Sequence, residues 1–211
     1  MTQKNIAELL LDIKAVFLRP NDPFTWVSGI KSPIYCDNRL ILSYPEARKK
    51  VERALADNVL KHYPQTELIA GTSTAGIAHA AFIAQLLNLP MVYVRSAAKE
   101  HGRKNLIEGM ALPNQKTVVV EDLISTAGSV VGVVQALREA GTEVLGIVSI
   151  FSYEMRKGIE RLEDSGVKNV SLSNYTALTE AALEAGMISE NDLKKLRAFQ
   201  SDPEDAAWMT L

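Results

Sequence analysis

Cysteine is nearly absent from this 211-residue chain. Cys36 stands alone, which excludes an internal disulfide and a cysteine metal cluster. A surplus of either charge is missing too. The chain has 23 Lys and Arg against 25 Asp and Glu, a formal −2, so there is no general basic surface on which to expect nucleic acid. No apolar run is long enough to span a bilayer. Lys4, Glu8, Asp12 and Lys14 break up the N-terminal segment, which therefore does not read as a secretory signal. Internal repeats and linker-like stretches are also missing. These absences lead to the expectation of one soluble, cytoplasmic domain over residues 1–211, with neither membrane nor nucleic acid as partner. Hydrophobic residues at 47% and charged ones at 23% argue against disorder and supply apolar surface for a real core.

What is present centres on Thr117-Val118-Val119-Val120-Glu121-Asp122-Leu123-Ile124-Ser125-Thr126-Ala127-Gly128-Ser129. A β-branched run reads as a buried strand and ends in two adjacent carboxylates. A loop of small and hydroxylated residues then leads into an amphipathic segment, Val130 to Ala140. Orphan N–H groups and the macrodipole at a helix N-terminus favour a phosphate. A carboxylate pair at a strand's C-terminal end accepts hydrogen bonds from vicinal hydroxyls, or reaches a divalent cation through them. A phosphorylated sugar offers both groups a few ångströms apart, so this stretch is a candidate ribose-phosphate site. Taken alone, the residues equally allow a core strand whose polar turn caps a helix.

The rest of the chain frames that stretch. Ile6, Leu9, Leu10, Ile13 and Phe17 recur at helical spacing and predict an amphipathic helix over residues 3–18. Two extended runs flank Ser28-Gly29 and predict a hairpin or hooked loop, rich in aromatics beside polar groups and so suited to a flat ring. Pro45 to Tyr63 reads as a helix with Val51, Leu55, Val59 and Leu60 inward and Arg48, Lys49, Lys50 and Glu52 on a solvated face. Leu68-Ile69-Ala70 reads as a strand. In the loop that follows it, Thr72, Ser73 and Thr74 are candidate donors to an anion, ahead of a helix from Ile77 to Leu87. Met91 to Arg95 is the next strand, and it runs into a polar, cationic segment carrying Lys99, His101, Arg103 and Lys104. Such a segment is either a solvated loop or a lid for a polyanion. Val144 to Phe151 is a further buried strand, and Ser189-x-x-Asp192 is a capping box opening a last helix from Asn191 to Phe199. Strands alternating with helices from residue 68 predict a doubly wound, mostly parallel α/β sheet with ligands at the strands' C-terminal ends.

Val-Val-Val-Glu-Asp-Leu-Ile-Ser-Thr-Ala-Gly-Ser (118–129) resembles the phosphoribosyl-pyrophosphate (PRPP) signature of type I phosphoribosyltransferases. Ser-Gly-x-Lys-Ser-Pro-x-Tyr, with Lys31 and Tyr35, resembles the N-terminal hood of the orotate phosphoribosyltransferase family. Tyr-Val-Arg-x-x-x-Lys-x-His-Gly, with Arg95, Lys99 and His101, resembles that family's mobile catalytic loop. The match runs from about residue 24 to residue 158, with four departures, one being Ser96 where some members carry a lysine. Ala75 occupies a position where many members carry a pyrophosphate-loop lysine, Cys36 one where some carry a second aromatic, and the family's Asp-Arg-x-Glu segment is missing near Tyr153. Arg156 is an offset and weak substitute for the arginine of that segment.

The resemblance implies a type I phosphoribosyltransferase fold, with a mostly parallel central sheet flanked by helices, a small hood over about residues 20–42 and a mobile lid over about 96–110. It implies conversion of orotate and PRPP to orotidine 5′-monophosphate and pyrophosphate in pyrimidine synthesis. Mg²⁺ would be carried by PRPP, with no direct protein ligand, and a homodimer would share the lid between subunits. Carried onto this chain, Lys99, His101 and Asp122 are the catalytic residues. PRPP contacts Thr72, Ser73, Thr74, Arg95, Lys99 and His101, and also Glu121, Asp122, Leu123, Ile124, Ser125, Thr126, Ala127, Gly128 and Ser129. Within that stretch the acid pair holds the ribose hydroxyls and 125–129 the 5′-phosphate. Orotate contacts Lys31, Tyr35, Ser125 and Thr126. Two rivals stay open on residues alone: transfer to a purine base, and a PRPP-sensing regulator without turnover.

Overall fold

The computed structural model describes residues 1–26, 29–95 and 106–211. Helix α1 (Gln3–Asp12) starts in a reciprocal cap, with the Thr2 hydroxyl accepting from the Asn5 N–H and the Asn5 side chain accepting from the Thr2 N–H. It stops well short of residue 18. The Lys14 N–H bonds Leu11 O and the Ala15 N–H bonds Leu10 O, with Lys14 at φ +55°, which is a Schellman ending built without glycine. The chain leaves as β1 (Val16–Leu18). A hairpin follows, β2 (Phe24–Thr25) against β3 (Lys31–Ser32), and then β4 (Ile34–Cys36), which pairs antiparallel with β1. Phe17, assigned to a helix face by spacing, is therefore an exposed strand residue. The hairpin around Ser28-Gly29 matches the expectation at its described ends.

Helix α2 (Pro45–His62) corrects the expected faces. Leu60 is exposed, and Glu52 is buried beside Arg48, Nε to Oε1 at 3.4 Å. The buried stripe runs Val51, Glu52, Leu55, Ala56, Val59, so the helix is rotated toward the 52–56 side and the Arg48 guanidinium lies 4.9 Å from the Phe82 ring.

The core unit alternates strand and helix as expected: β5 (Leu68–Thr72), α3 (Gly76–Leu87), β6 (Met91–Val94), β7 (Ile107–Glu108), β8 (Lys116–Ile124), α4 (Gly128–Glu139), β9 (Glu143–Ser152), α5 (Arg156–Asp164), β10 (Asn169–Asn174), α6 (Tyr175–Glu184) and α7 (Glu190–Ser201). The sheet order is β10-β9-β8-β5-β6-β7, parallel throughout except β7, which runs antiparallel to β6. The C-terminal end of the expected lid segment is thus tied to the sheet edge, with Ile107 opposite Val94 and Glu108 opposite Tyr93.

Side chains alternate across β8. Val118 and Val120 join the core under α1, α2, α3, α6 and α7, while Val119 joins the core under α4. Helix α7 opens with the expected Ser189–Asp192 box. Beyond it, Trp208 is buried edge-on against Phe199 at 5.7 Å, so the tail docks on the body. Trp26 of the hood reaches the same cluster, 5.9 Å from both Tyr153 and Phe199.

Gly146 on β9 makes room for the Tyr63 ring, whose hydroxyl donates to Lys168 O at 3.0 Å. A Cβ at Gly146 would stand 2.3 Å from that ring. Gly146→Ala is therefore expected to destabilise by about 1–3 kcal/mol through overpacking, lowering the melting temperature by several degrees. An unchanged thermal melt would show that the ring has another place to go.

Candidate active site

Because β5, β8 and β9 are parallel, the loops that leave their C-terminal ends share one rim. Gly71 pairs with Val120, which brings Thr72 beside Glu121. The Thr72 hydroxyl donates to Glu121 Oε1 at 2.6 Å, and the Asp122 N–H donates to the same oxygen at 3.0 Å. Thr72 is buried, so a hydroxyl expected to meet an anion is committed to the acid pair instead. Glu121 is also buried. Removal from water, and then the Asp122 carboxylate beside it, push its carboxyl up to about 8. Burial raises Asp122 as well. Asp122 is the more open of the two, and its carbonyl accepts from Asn38 Nδ2 at 2.8 Å, which ties the base of the hood to the rim.

After Ile124 the chain turns sharply. Ala127 takes a left-handed conformation, φ +57°, and α4 begins at Gly128 with no side chain capping its first N–H groups. These orphan donors face whatever occupies the loop. A cavity of about 320 Å³ brings the separate motifs together, with Ser73, Arg95, Leu106, Gly128 and Ser129 in its lining. The Ser73 hydroxyl and Arg95 Nη1 are buried there with no hydrogen-bond partner among the described residues. Arg95 also stands 3.7 Å from Glu108, an ion pair at the sheet edge where the expected lid segment begins and ends. Thr74 follows Ser73 across a cis peptide, on the same loop. Lys99 and His101 lie outside the described residues.

The hood presents a different surface. Lys31 donates to the Thr25 hydroxyl at 2.7 Å, and the half-exposed Tyr35 ring sits 5.5 Å from Phe24. A second cavity, about 210 Å³, lies between hood, phosphate loop and the start of α5, with Trp26, Ile30, Thr126, Met155, Arg156 and Lys157 in its wall. The structure thus brings Thr126 to this cavity, along with Arg156, which the sequence offered only weakly. Lys31 and Tyr35 are not in its wall. Trp26 was missed as a lining residue, and its signal was an aromatic two positions before the Ser28-Gly29 hook. Burial pushes the Cys36 thiol up, so it is a packed, inert group. Among the described residues no three metal-ligating side chains converge. The rim offers one half-buried carboxylate beside one buried one, a small donor set that could meet a cation carried by a ligand.

An acid pair and an uncapped helix start on a parallel-sheet rim are what a phosphoribosyltransferase would need, and comparison with known proteins shows that family for the chain. A family model described as a phosphoribosyl transferase domain matches residues 40–184. An orotate phosphoribosyltransferase of Bacillus cereus (strain G9842) is 59% identical over 208 residues, covering 99% of each chain. Among solved structures, an orotate phosphoribosyltransferase from Aeropyrum pernix aligns at 27% identity and TM-score 0.75, over 87% of this chain and 99% of that one. A UMP synthase of Leishmania donovani aligns at 30% identity and TM-score 0.80, over 95% of this chain and 42% of that one. The chain belongs to the orotate phosphoribosyltransferase family.

Two buried groups set opposite pH dependences. Glu121 is raised from 4.5 to about 8, so its contribution to stability is fully present below 4.5 and is lost as pH rises through 8. Burial holds His79 down from 6.5 to about 4, so its contribution is present above 6.5 and is lost as pH falls toward 4. Between pH 6.5 and 8 only the Glu121 effect operates of these two. Thermal melts should show wild-type stability falling across that window and a flatter profile in Glu121→Gln. Parallel profiles would mean that Glu121 is already ionised in the fold.

Proposed function

We propose that this chain transfers the 5-phosphoribosyl group of PRPP to orotate, giving orotidine 5′-monophosphate and pyrophosphate in pyrimidine synthesis. One observation carries the reading. The acid pair and the uncapped 125–129 turn open onto the same rim as Ser73 and Arg95, so sugar hydroxyls, 5′-phosphate and diphosphate each find a chemically matched wall.

In this reading Asp122, supported by Glu121, accepts hydrogen bonds from the ribose hydroxyls. The N–H groups and hydroxyls of Ser125, Thr126, Ala127, Gly128 and Ser129 hold the 5′-phosphate, with Leu123 and Ile124 leading the chain into that cradle. Ser73, Thr74 and Arg95 receive the diphosphate. The chemistry needs no protein nucleophile. The bond from the anomeric carbon to pyrophosphate breaks as the orotate nitrogen attacks, and the protein positions both partners and neutralises the leaving charge. Lys99 and His101 supply that charge from the lid, a role resting on their places in the sequence. Mg²⁺, carried by PRPP, would neutralise diphosphate oxygens, and Asp122 is the residue placed to meet it through the ribose hydroxyls. The planar base lodges under the hood near Ser125 and Thr126, where the wall offers Trp26 and Arg156, while Lys157 is held by Glu204 of the same wall. Lys31 and Tyr35, orotate contacts by the resemblance, lie on the hood outside that cavity's wall and would have to move to reach the base. A homodimer with a shared lid and a cytoplasmic setting complete the reading. No described helix is long and apolar enough to cross a membrane.

The direct test mixes protein, magnesium and PRPP with orotate, or with adenine or hypoxanthine, and follows each base by absorbance. Loss of orotate alone is expected, and consumption of a purine would overturn the substrate assignment. Lys99→Ala should cut kcat by roughly 10²–10³ while PRPP affinity changes little, because the contact strengthens with developing charge. Equal losses in kcat and affinity would remove Lys99 from that role. Mixing Lys99→Ala protein with an inactive Ser129 variant should restore part of the activity if the lid serves the neighbouring subunit. No recovery after demonstrated subunit exchange would place the whole site within one chain.

A further inference from the structure

Helix α5 bears on the phosphate loop at two points. A Cβ on Gly158 would stand 2.2 Å from the Ser125 carbonyl oxygen, so that carbonyl faces the helix at contact distance. Three residues on, along the same helix face, Arg161 Nη1 donates to the Thr126 carbonyl at 2.7 Å. The guanidinium also lies against Gly128, where a Cβ would stand 2.8 Å from the same nitrogen.

Peptide geometry turns these contacts into a statement about donors. The C=O of one residue and the N–H of the next share a plane and point in opposite directions. With Ser125 O and Thr126 O both directed at α5, the N–H groups of Thr126 and Ala127 point away from it. Neither N–H has a partner among the described residues. Two successive outward N–H groups ahead of an uncapped helix start make an anion-binding nest. The left-handed turn at Ala127 then carries the chain into α4.

We propose that Arg161 is a positioning residue for the ribose-phosphate site. By holding the Thr126 carbonyl against α5, it aims the Thr126 and Ala127 N–H groups at the 5′-phosphate, and it adds a positive charge behind the nest without touching substrate. Gly158 is its steric counterpart, letting α5 come close enough for the bond to form. This rests on the reading of 125–129 as the 5′-phosphate cradle.

The test uses ribose 5-phosphate and pyrophosphate as separate inhibitors of the full-length enzyme. Arg161→Met is expected to weaken ribose 5-phosphate inhibition and raise the PRPP KM about tenfold, the scale of a lost charge-assisted hydrogen bond. Pyrophosphate inhibition and the orotate KM should stay within about twofold, and Arg161→Lys should recover part of the loss. Arg161 is exposed, so the melting temperature should barely move. Gly158→Ala, which pushes the loop from the same side, should reproduce the selective loss. Unchanged ribose 5-phosphate inhibition in Arg161→Met overturns the proposal. So does an equal loss for both inhibitors with a lowered melting temperature, the mark of general damage. A wild-type enzyme that ignores ribose 5-phosphate altogether would overturn the phosphate-cradle reading itself, and the proposal with it.

Discussion

Parallel pairing of β8 with β5 on one side and β9 on the other is the constraint from which the site follows. Its register sets Gly71 opposite Val120, Glu121 opposite Ser149 and Ile124 opposite Ser152. The first pairing leaves Thr72 beside Glu121, so their hydrogen bond extends the contact between β5 and β8 past the last ladder pair. The last pairing sends β9 into α5 at the level where β8 enters the phosphate loop, which is why an α5 side chain can reach Thr126. A slip of one residue would turn Glu121 to the other face of the sheet and remove both contacts at once.

The acid pair is built against ordinary solvation. A buried carboxylate with a second one beside it loses hydration and meets like-charge repulsion, and a single threonine hydroxyl and an amide do not offset both. Glu121 therefore tends to hold its proton in the free enzyme. Asp122, more open and closer to the hood, is the one free to meet ligand. Under the proposed function, the unfavourable electrostatics of the acid pair lie where ligand hydroxyls would relieve them. The side proposed for the diphosphate does the reverse, with an arginine nitrogen that has no hydrogen bond among the described residues in a cavity wall. The two sides match the two ends of a ligand that is hydroxylated in the middle and anionic at both termini.

Much of this was legible in the sequence because it is written in short-range pattern. The valine run gave β8, alternation with helices gave the parallel sheet, and 121–129 gave the acid pair and its turn. Where reading by spacing failed, a specific competitor prevailed. Helix α1 ended early because Lys14 adopts the left-handed conformation usually marked by glycine. The buried face of α2 rotated because Arg48 and Phe82 make burial of Glu52 tolerable, a partnership between two helices that no window along one of them contains. Strand β10 carries Asn169, Ser171, Ser173 and Asn174, and its polarity hid an edge strand. The cavity under the hood needed Trp26 and α5 brought together across more than a hundred residues.

The phosphate loop shows the same division at finer scale. Its composition announces donors, since small residues and hydroxyls before a helix do little else so economically. Composition does not say which way the donors point. A peptide plane can rotate, and a turn whose carbonyls faced inward would repel the anion its sequence promises. In this fold the choice is made by contacts from outside the motif: Gly158 closes on Ser125 O, and Arg161 draws Thr126 O the same way. Ala127 then takes a positive φ without being glycine, a cost of about 1 kcal/mol or more that neighbouring contacts must offset. The motif supplies the groups and the helix after the next strand supplies their direction. Recognising the motif is therefore enough to suggest a ligand class, while explaining the direction of its donors requires residues more than thirty positions downstream.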